Sequence, residues 1–487
     1  MKKNKSLGVN AAINALRAGL SIIFPLITYP YAIRVLHAEG IGKVNFASSI
    51  VSYFSLFASL GFSNYAVREG AKVRDDKEKF SRFASEILLL NTISTAISVI
   101  GLIICAFLVP KFEPYEKLIL LLGTTIVFTT FGVDWINTVY EDFLYITLRT
   151  IVTEVISMIL LFCIVRSEND VYQYALLTVI SQAVVCVSNF FLCRKYVTFK
   201  FHRGMHLRKH LQPTLIFLAN KIATTIYVSS DTTMLGWMKG DYYVGIYAIS
   251  VKVYSVIKTM LAALYLVVVP RISYNIGKDD YDSVKRTYTN MFCDVLVLLL
   301  PASVGLTCVS REIITFMAGE NNTDGILTLQ ILSVALVGAI LNGLILYCIN
   351  IPTGNEKINA RAAIYSTAMN VILNLFLIPI FKQNGAAATT VISEFFVLLY
   401  CLKKDDGNIK MFLSFHEAFR SLLQALCGVL TVIVTTVLIK QLDINYLLCL
   451  ALIVIISIVT YGIELLLLGN TLVTDILQKI RARIHHV

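Results

Sequence analysis

FASEILLLNTISTAISVIGLIICAFLV, residues 83–109, is a run of 27 residues that carries a single charged side chain. At 1.5 Å per residue, an α-helix of about 20 such residues crosses the ~30 Å hydrocarbon core of a bilayer. About fourteen stretches of this kind follow one another along the 487 residues. They leave no room for a sizeable water-soluble domain, so the sequence predicts a protein that works inside the membrane.

The composition supports the same interpretation. Apolar residues make up 57% of the chain and charged residues 15%, against about 25% charged residues in soluble domains. Because a bilayer core offers no water to unpaired peptide groups, we expect an all-α polytopic membrane protein. The residues behind the net charge of +11 lie between apolar stretches and not on one soluble face. Membrane phospholipids or an anionic lipid substrate are therefore the expected partners, and nucleic acid is not.

Hydropathy and length predict about 14 transmembrane helices. The fourth predicted span runs into Asp134, and the seventh contains Lys221 and Asp231. The spans are approximately residues 9–33, 44–64, 83–109, 117–138, 144–165, 171–193, 211–237, 244–270, 290–310, 326–350, 359–381, 384–402, 416–439 and 446–468.

Positive charge in the loops orients these helices. The two termini and every second loop, counted with the adjoining ends of the spans, collect 29 Lys and Arg residues, whereas the opposite loops, counted in the same way, collect 9 and the interiors of the spans hold four more. Lys and Arg accumulate on the cytoplasmic side of membrane proteins. Both termini are therefore predicted to be cytoplasmic.

A hydrophilic linker, RKYVTFKFHRGMHLRKH, divides the chain after six spans. A weak repeat suggests two related halves, because Gly42 follows the first span as Gly245 follows the seventh, 203 residues later. Two pseudo-symmetric halves are a common transporter design, with chance similarity between apolar segments as the alternative. The predicted organisation is a six-helix lobe, a cytoplasmic linker, a second six-helix lobe, and two further helices with a basic tail, at residues 1–193, 194–210, 211–402 and 403–487.

No constellation of catalytic residues is apparent. The chain contains no G-x-x-x-x-G-K-[ST] phosphate loop, no C-x-x-C pair and no histidine spacing typical of a metal site. Most of the ten cysteines lie in apolar stretches, where Cys acts as a small apolar residue. We therefore expect no enzymatic activity, no cofactor and no metal. Transport must then draw on an ion gradient, the membrane potential or the gradient of the substrate itself.

Four cations inside the predicted spans are the most informative residues. An ionised side chain at a helix centre costs roughly 2.5–3.5 kcal/mol on insertion scales, so it usually faces a cavity or a partner. One interpretation is a cationic cavity between the two halves that binds phosphate or pyrophosphate. The candidates for substrate binding are Arg17, Lys221 and Lys252. Lys258 can snorkel towards the cytoplasm and is a candidate for gating.

Carboxylates inside the spans give the alternative interpretation. Glu154, Asp231 and Glu394 can pair internally with the buried cations. A buried carboxylate can also carry a coupling proton, so these three residues are candidates for ion coupling. Glu86 lies near the cytoplasmic end of the third span, where a solvated helix cap is expected.

Proline and arginine residues suggest where a gate could lie. Pro25 and Pro30 fall in or at the end of the first span, where a missing hydrogen bond can bend the helix or simply be tolerated. Arg34, near the outer end of that span, is a candidate for binding the headgroup or closing the gate, with an interfacial anchor as the alternative. Arg68 lies at the predicted cytoplasmic mouth, where it can guide the substrate; a positive-inside charge is the simpler explanation.

The stretch YPYAIRVLHAEGIGKVNFASSIVSYFSLFASLGFSNYAVREGAKVRDD, residues 29–76, resembles the N-terminal signature of bacterial polysaccharide flippases, the Wzx-type exporters of oligosaccharide repeat units. Weaker matches in the expected order extend the resemblance to nearly the whole chain. One departure is His37, which stands where such sequences usually have glycine. The matching positions include Pro30, Gly42, Tyr65, Arg68, Glu69, Asp231, Gly245, Pro270, Pro352, Asn370, Asn374 and the stretch GAAATTVISE from Gly385 to Glu394.

The resemblance implies a fold like that of the multidrug and toxin extrusion transporters, with two six-helix lobes and two peripheral helices. It implies a flippase that turns undecaprenyl-pyrophosphate-linked oligosaccharide, for O-antigen or capsule, from the cytoplasmic to the outer leaflet of the bacterial inner membrane. A polysaccharide polymerase and glycosyltransferases are further partners that it suggests. The alternatives on the same fold are a multidrug efflux antiporter and a lipid II flippase. A membrane scaffold would give no reason for buried cations, and a glycan polymerase would need a long outer loop.

Overall fold

A computed structural model describes most of the chain. The main chain is described at residues 7–200, 205–320, 322–405, 407–442 and 444–474. Within these ranges, the side chains outside the description are those of residues 7–18, 21–22, 215–217 and 219–220. The side chain of Arg17 and most of the predicted basic tail therefore lie outside the described part.

The described residues form helices and contain no strand. Among the described residues, eleven helices are long and apolar enough to cross a membrane. Large apolar side chains face outwards: Ile97, Phe107 and Val267 expose 68, 61 and 79% of their surface. Such a surface is stable in lipid and not in water. The prediction of an all-α, multi-pass membrane protein is confirmed.

By its internal contacts the chain divides into two units, residues 1–245 and 246–487. The lobes predicted on either side of the linker at 194–210 stay a prediction.

The helices of the first unit are α1 (Leu7–Ser59), α2 (Phe62–Val73), α3 (Lys77–Leu108), α4 (Glu116–Gly132), α5 (Asp134–Val139), α6 (Phe143–Ile164), α7 (Val171–Cys193) and α8 (Leu207–Met238), with a 3₁₀ turn at Pro110–Tyr115. The boundary falls within α9 (Asp241–Leu266). The second unit continues with α10 (Val269–Ile276), α11 (Tyr281–Cys308), α12 (Ser310–Ala318), α13 (Gly325–Ile345), a π turn at Leu346–Asn350, α14 (Glu356–Lys404), α15 (Asn408–Phe412), α16 (Phe415–Lys440) and α17 (Tyr446–Leu467).

Two of the long helices are broken by a single residue. The helix α1 covers the first two predicted spans and departs from helical geometry at His37, with φ 56° and ψ 175°. The helix α14 covers spans eleven and twelve and breaks at Lys382, with φ 55° and ψ −130°. Helical dihedral angles continue through Pro25 and Pro30, as membrane helices tolerate proline. The main-chain break in α1 therefore lies at His37 and not at either proline.

The fourth predicted span ends earlier than expected. Gly132 is the last residue of α4, because Val133 adopts a left-handed conformation with φ 39°. Asp134 therefore begins the separate short helix α5. The charged side chain into which the predicted span runs therefore lies beyond the end of α4.

An aromatic cluster fixes the linker against α3 and α5. Phe80 and Phe83 of α3 pack around Trp135, and Phe199 of the linker packs against the same buried cluster. The expectation of a solvated cap at Glu86 is wrong, because its residue is only 6% exposed. The fold covers it with the linker and the start of α8.

Glu86 is paired inside this covered region. Its Oε1 accepts a hydrogen bond from the main-chain N–H of His206 at 3.1 Å, and its Oε2 lies 2.8 Å from Nε2 of His210. The other ring nitrogen of His210 lies 2.8 Å from the hydroxyl of Tyr65. A buried carboxylate with two partners is far less costly than an unpaired one.

In the second unit, α11 packs against α13 and α16, α13 packs against α14, and α16 packs against α17. The last two helices correspond to the two additional spans predicted after the second lobe. Tyr461 of α17 anchors them by donating its hydroxyl proton to the carbonyl of Val297 at 2.9 Å. Gly428 of α16 leaves the space that the Tyr461 ring occupies.

Candidate functional site

A line of hydroxyl groups joins α1 to α8 within the first unit. The hydroxyls of Ser52 and Ser229 lie 2.9 Å apart, and Thr233 donates to Ser49 at 2.8 Å. The Tyr53 hydroxyl lies 3.1 Å from that of Thr233. Ser49, Ser52 and Tyr53 share one face because residues three or four apart are neighbours on a helix. We call these five residues the hydroxyl seam.

Lys221 lies on α8 about 12 Å along the axis from Ser229, at 1.5 Å per residue. Its ammonium group donates a hydrogen bond to the Ser59 hydroxyl, at the end of α1, at 2.8 Å, and its side chain is exposed. Asp231 is also on α8 but is buried, with 5% exposure. The predicted substrate-binding cation is therefore accessible and continues the polar face of the seam, whereas the predicted coupling carboxylate is covered.

This arrangement is chemically suited to a polar, anionic ligand. Hydroxyl groups both donate and accept hydrogen bonds, as sugar hydroxyls do, and an ammonium group supplies strong donors to phosphate oxygens. Sequence reasoning found Lys221 and missed the hydroxyl seam, because single Ser and Thr residues in apolar spans are common. The signal that was available is their spacing of three and four residues on α1 and of four residues on α8.

Glu154 and Pro25 line one cavity of about 240 Å³ in the first unit. Pro25 contributes from α1, Glu154 from α6 and Tyr174 from α7. Two further lining hydroxyls, those of Ser157 and Ser181, lie 2.6 Å apart. One candidate for gating and one candidate for ion coupling are thus brought together in a small chamber with both polar and apolar side chains.

Lys258 and Glu394 form an ion pair in the second unit. The Lys258 ammonium lies 2.9 Å from Oε1 of Glu394, whose side chain is only 7% exposed, and 5.4 Å from the centre of the Tyr254 ring. This is the internal pairing that the sequence left open as the alternative to a free cationic cavity. Lys252, six residues earlier on α9, is half-buried.

Two other predicted residues lie at exposed positions. Arg34 is exposed on α1, three residues before the break at His37. Arg68 is exposed on α2 and pairs with Glu69 at 2.9 Å, and Lys72 pairs with the same carboxylate at 2.8 Å. The described residues include no group of three or more His, Cys, Asp or Glu side chains that could hold a metal ion.

Arg149 is a buried cation that sequence reasoning missed. Its side chain is 7% exposed and lies 2.7 Å from the carboxylate of Asp134. It also donates to the side-chain oxygen of Asn189 on α7. The charge count assigned Arg149 to a loop, although it lies inside the predicted span 144–165. The network fastens the break between α4 and α5 to α6 and α7.

A second kind of cavity lies in the second unit. It measures about 500 Å³ and is lined by apolar side chains of α11, α16 and α17, including Pro301, Val432 and Ile453. No ionisable side chain other than Tyr461 lines it. Its chemistry suits a hydrocarbon chain and not a phosphate group.

Comparison with known families identifies two matches. Residues 7–275 match the family described as "Polysaccharide biosynthesis protein", and residues 217–380 match the MatE family. A protein of Escherichia coli (strain K12) named as an O-antigen transporter is 22% identical over 410 residues, which cover 81% of this chain and 95% of that protein. A capsular polysaccharide biosynthesis protein of Staphylococcus aureus is 23% identical, covering 75% of this chain and 91% of its own length.

Solved structures show the same fold. A lipid II flippase in an inward closed conformation superposes with a TM-score of 0.75 at 16% identity, covering 96% of this chain and 99% of its own. An inward-facing multidrug transporter of the MATE family gives a TM-score of 0.60 at 13% identity, covering 80% of this chain and 94% of its own. Identities this low establish the fold alone.

The resemblance first seen in residues 29–76 is confirmed by these matches. The first family match begins at residue 7 and continues to residue 275, through α1 to α9 and into α10. It therefore covers more than half of the 487 residues, including the hydroxyl seam and Lys221. This chain belongs to the polysaccharide biosynthesis protein family.

Proposed function

We propose that this protein is a flippase that moves undecaprenyl-pyrophosphate-linked oligosaccharide from the cytoplasmic to the outer leaflet of the bacterial cytoplasmic membrane. The family membership and the names of its transporter and flippase relatives support this proposal. The protein acts as a non-enzymatic transporter, by alternating access between its halves. A polymerase and glycosyltransferases are its expected functional partners, and both termini are cytoplasmic.

The observation that carries the proposal is the exposed Lys221, bound to Ser59 at the end of α1, on the same two helices as the hydroxyl seam and about 12 Å along α8 from Ser229. A pyrophosphate group needs cationic donors, and a passing sugar needs groups that exchange hydrogen bonds without a strong preference. An exposed ammonium next to hydroxyl-bearing helix faces offers both within one segment of α1 and α8. Arg17, Lys252 and Arg34 are the further headgroup-binding residues that we propose.

Coupling and gating are assigned to two separate polar sites. Glu154 would take up the coupling ion in the cavity that it shares with Pro25, so that its charge acts on the α1 segment that lines this cavity. Lys258 and Glu394 would act as an internal latch that opens when its pairing changes. Asp231 is a further coupling candidate, and Arg68 is proposed to guide the headgroup at the cytoplasmic mouth.

The test replaces Lys221 with Gln in the native host and measures surface polysaccharide together with the lipid-linked repeat unit retained in the cell. We expect export to fall about 10- to 100-fold, the effect of losing a charge-assisted hydrogen bond, while the protein accumulates normally in the membrane. Lys221→Arg should retain part of the activity. Lys239→Gln, at the end of the same helix, is the matched control and should export normally. Normal export by Lys221→Gln would reject the headgroup role.

A multidrug efflux antiporter is the second candidate, favoured by the MatE match at residues 217–380. Organic cations prefer acidic cavities, whereas the charges predicted at mid-depth here are mainly basic. Deletion of the gene should therefore leave resistance to cationic drugs unchanged while abolishing glycan export. If the deletion strain became sensitive to cationic drugs and still made its surface polysaccharide, the antiporter function would be favoured over the flippase function.

A further inference from the structure

A cavity of about 540 Å³ opens at the start of α3, beside the linker. It is lined by Lys77, Glu78, Ser81, Arg82, Thr198 and Lys200. Three cations and one carboxylate give it a net positive charge, and 300–1,000 Å³ is the usual size of a small-ligand site. The functional assignments above use none of these six residues.

The linker side of this cavity is held in place by α3. The main-chain N–H groups of Thr198 and Lys200 donate to the hydroxyls of Ser81 and Ser85, both at 3.1 Å. In an extended chain alternate residues share a face, so Thr198 and Lys200 point the same way. Phe199 between them packs against the aromatic cluster. The spacing of Lys200 from the cations of α3 is therefore set by the fold and not by a loose loop.

The neighbouring ionic contacts leave the cavity cationic. Lys79 is paired with Asp76 at 3.0 Å. The N–H of Lys79 and its ammonium group hold the pKa of the Asp76 carboxyl below its usual range. Asp76 also caps the first turn of α3 by accepting hydrogen bonds from the main-chain N–H groups of Glu78 and Lys79. Arg82 forms an ion pair with the buried carboxylate of Glu86, with 3.6 Å between Nε and Oε1. Lys77 and Lys200 supply the further positive charge of the cavity.

The level of the cavity in the membrane points to a lipid ligand. The apolar part of α3 begins directly after Arg82, and the linker leaves α7 at Arg194. The Arg194 guanidinium lies 5.1 and 5.2 Å from the ring centres of Phe190 and Phe191. Cations over aromatic rings at the ends of transmembrane helices are typical of the headgroup layer. Basic pockets of this kind on the cytoplasmic side bind anionic headgroups.

We propose that Lys77, Arg82 and Lys200, with the hydroxyls of Ser81 and Thr198, form a binding site for the phosphate group of an anionic lipid in the cytoplasmic leaflet. Bulk phosphatidylglycerol and the pyrophosphate of a lipid-linked substrate share this chemistry. The second source depends on the proposed flippase function, and the first does not.

The test measures lipid binding to the purified full-length protein by native mass spectrometry in detergent. The probes are dioleoyl phosphatidylglycerol and, as a neutral reference, dioleoyl phosphatidylcholine. The pocket variant combines Lys77→Gln, Arg82→Gln and Lys200→Gln. The matched control combines Lys403→Gln, Lys404→Gln and Lys410→Gln, three exposed cations of another predicted cytoplasmic loop, and loses the same charge.

We expect the pocket variant to bind phosphatidylglycerol about 10- to 100-fold more weakly than the unchanged protein, and the control to differ by less than about twofold. Equal binding by pocket variant and unchanged protein would overturn the proposal. If the triple variant does not fold, Lys200→Gln alone and a salt titration of the unchanged protein replace it. Binding that does not weaken between 50 and 500 mM salt, or that persists in full in Lys200→Gln, would also overturn it.

A competition arm separates the two lipid sources. Undecaprenyl pyrophosphate that displaces phosphatidylglycerol at an equal mole fraction would identify the pocket as a receiving site for the substrate. Failure to displace it would identify a structural phospholipid site. Tighter binding of an acidic peptide than of either lipid would contradict the lipid assignment. The assay contains no transport step, so its failure leaves the flippase proposal standing, and loss of export in Lys221→Gln leaves the pocket standing.

Discussion

Gly42 and Gly245, which are 203 residues apart, lie together in the first unit with no space for a Cβ on either. A Cβ on Gly42 would collide with the carbonyl oxygen of Asp241, and a Cβ on Gly245 with the carbonyl oxygen of Ala38. Ala38 and Asp241 are separated by the same 203 residues. The contact is therefore reciprocal, as the weak sequence repeat predicts for two related segments that cross.

Alanine at either glycine should destabilise the protein. The obstructing atoms belong to the main chain and not to flexible side chains. We therefore expect Gly42→Ala or Gly245→Ala to lower the free energy of unfolding by about 1–3 kcal/mol. The double variant should lose less than the sum, because the first alanine already separates the two segments. Thermal unfolding followed by circular dichroism measures this. Gly462→Ala, where a Cβ meets nothing within 4 Å, is the control, and an equal loss there would refute the packing argument.

Glycine at position 37 should stabilise the protein. A φ of 56° with ψ near 180° belongs to a region that is almost confined to glycine and costs about 1–3 kcal/mol for other residues. His37→Gly removes this cost, less roughly 0.5–1 kcal/mol for the greater freedom of glycine when unfolded. His37→Ala is the matched control, because it removes the ring and its 3.9 Å contact with Glu168 but keeps the Cβ. If both His37→Gly and His37→Ala were more stable than the unchanged protein, the gain would come from removing the imidazole and not from relieving main-chain strain.

Breaking the contacts of Glu86 should loosen the linker. Glu86→Gln replaces the carboxylate that faces the buried Nε2 of His210 with an amide. We expect the free energy of unfolding to fall by about 1–3 kcal/mol. His210→Phe should cost a similar amount, because it leaves Glu86 and Tyr65 without their shared partner. Limited proteolysis at residues 194–210 should become faster in both. Glu113→Gln, an exposed carboxylate on the 3₁₀ turn, should behave like the unchanged protein; unchanged proteolysis of Glu86→Gln would show that the linker is held by other contacts.

The Lys258–Glu394 pair should show strong coupling in a double-mutant cycle. Each single change, Lys258→Met or Glu394→Gln, leaves one charge or polar group without its partner. We expect each single change to lower the free energy of unfolding by about 1–3 kcal/mol. This is less than for a fully buried ion pair, because the Lys258 side chain is 37% exposed. The double variant should be more stable than either single one, as judged by circular dichroism. Additive losses would mean that the two side chains do not depend on each other.

The helices were predictable because the bilayer imposes a length and an apolar composition on each span. The form of the connection between the first two spans was not, since the structure replaces the expected loop with a kink at the single residue His37. The sequence did single out that position. What it could not supply was the dihedral angle.

The candidate site was only partly predictable, because its contacts join distant residues. Lys221 was evident as a charge in a span, whereas its partner Ser59 lies 162 residues away. Glu86 was misjudged for the same reason, since its covering partner His210 belongs to a segment that the sequence describes as a hydrophilic linker. Arg149 was overlooked although the criterion of charge inside a span applied to it.

Both tryptophans of the chain, Trp135 and Trp237, belong to the first unit. Trp135 is 7% exposed within the aromatic cluster, whereas Trp237 is 47% exposed and meets the Phe112 ring edge-on at 5.7 Å. The tryptophan emission of the protein therefore originates in one unit, at one shielded and one open position. A soluble quencher would reduce the emission of Trp237 before that of Trp135. Unfolding confined to residues 246–487 would not be detected by tryptophan fluorescence.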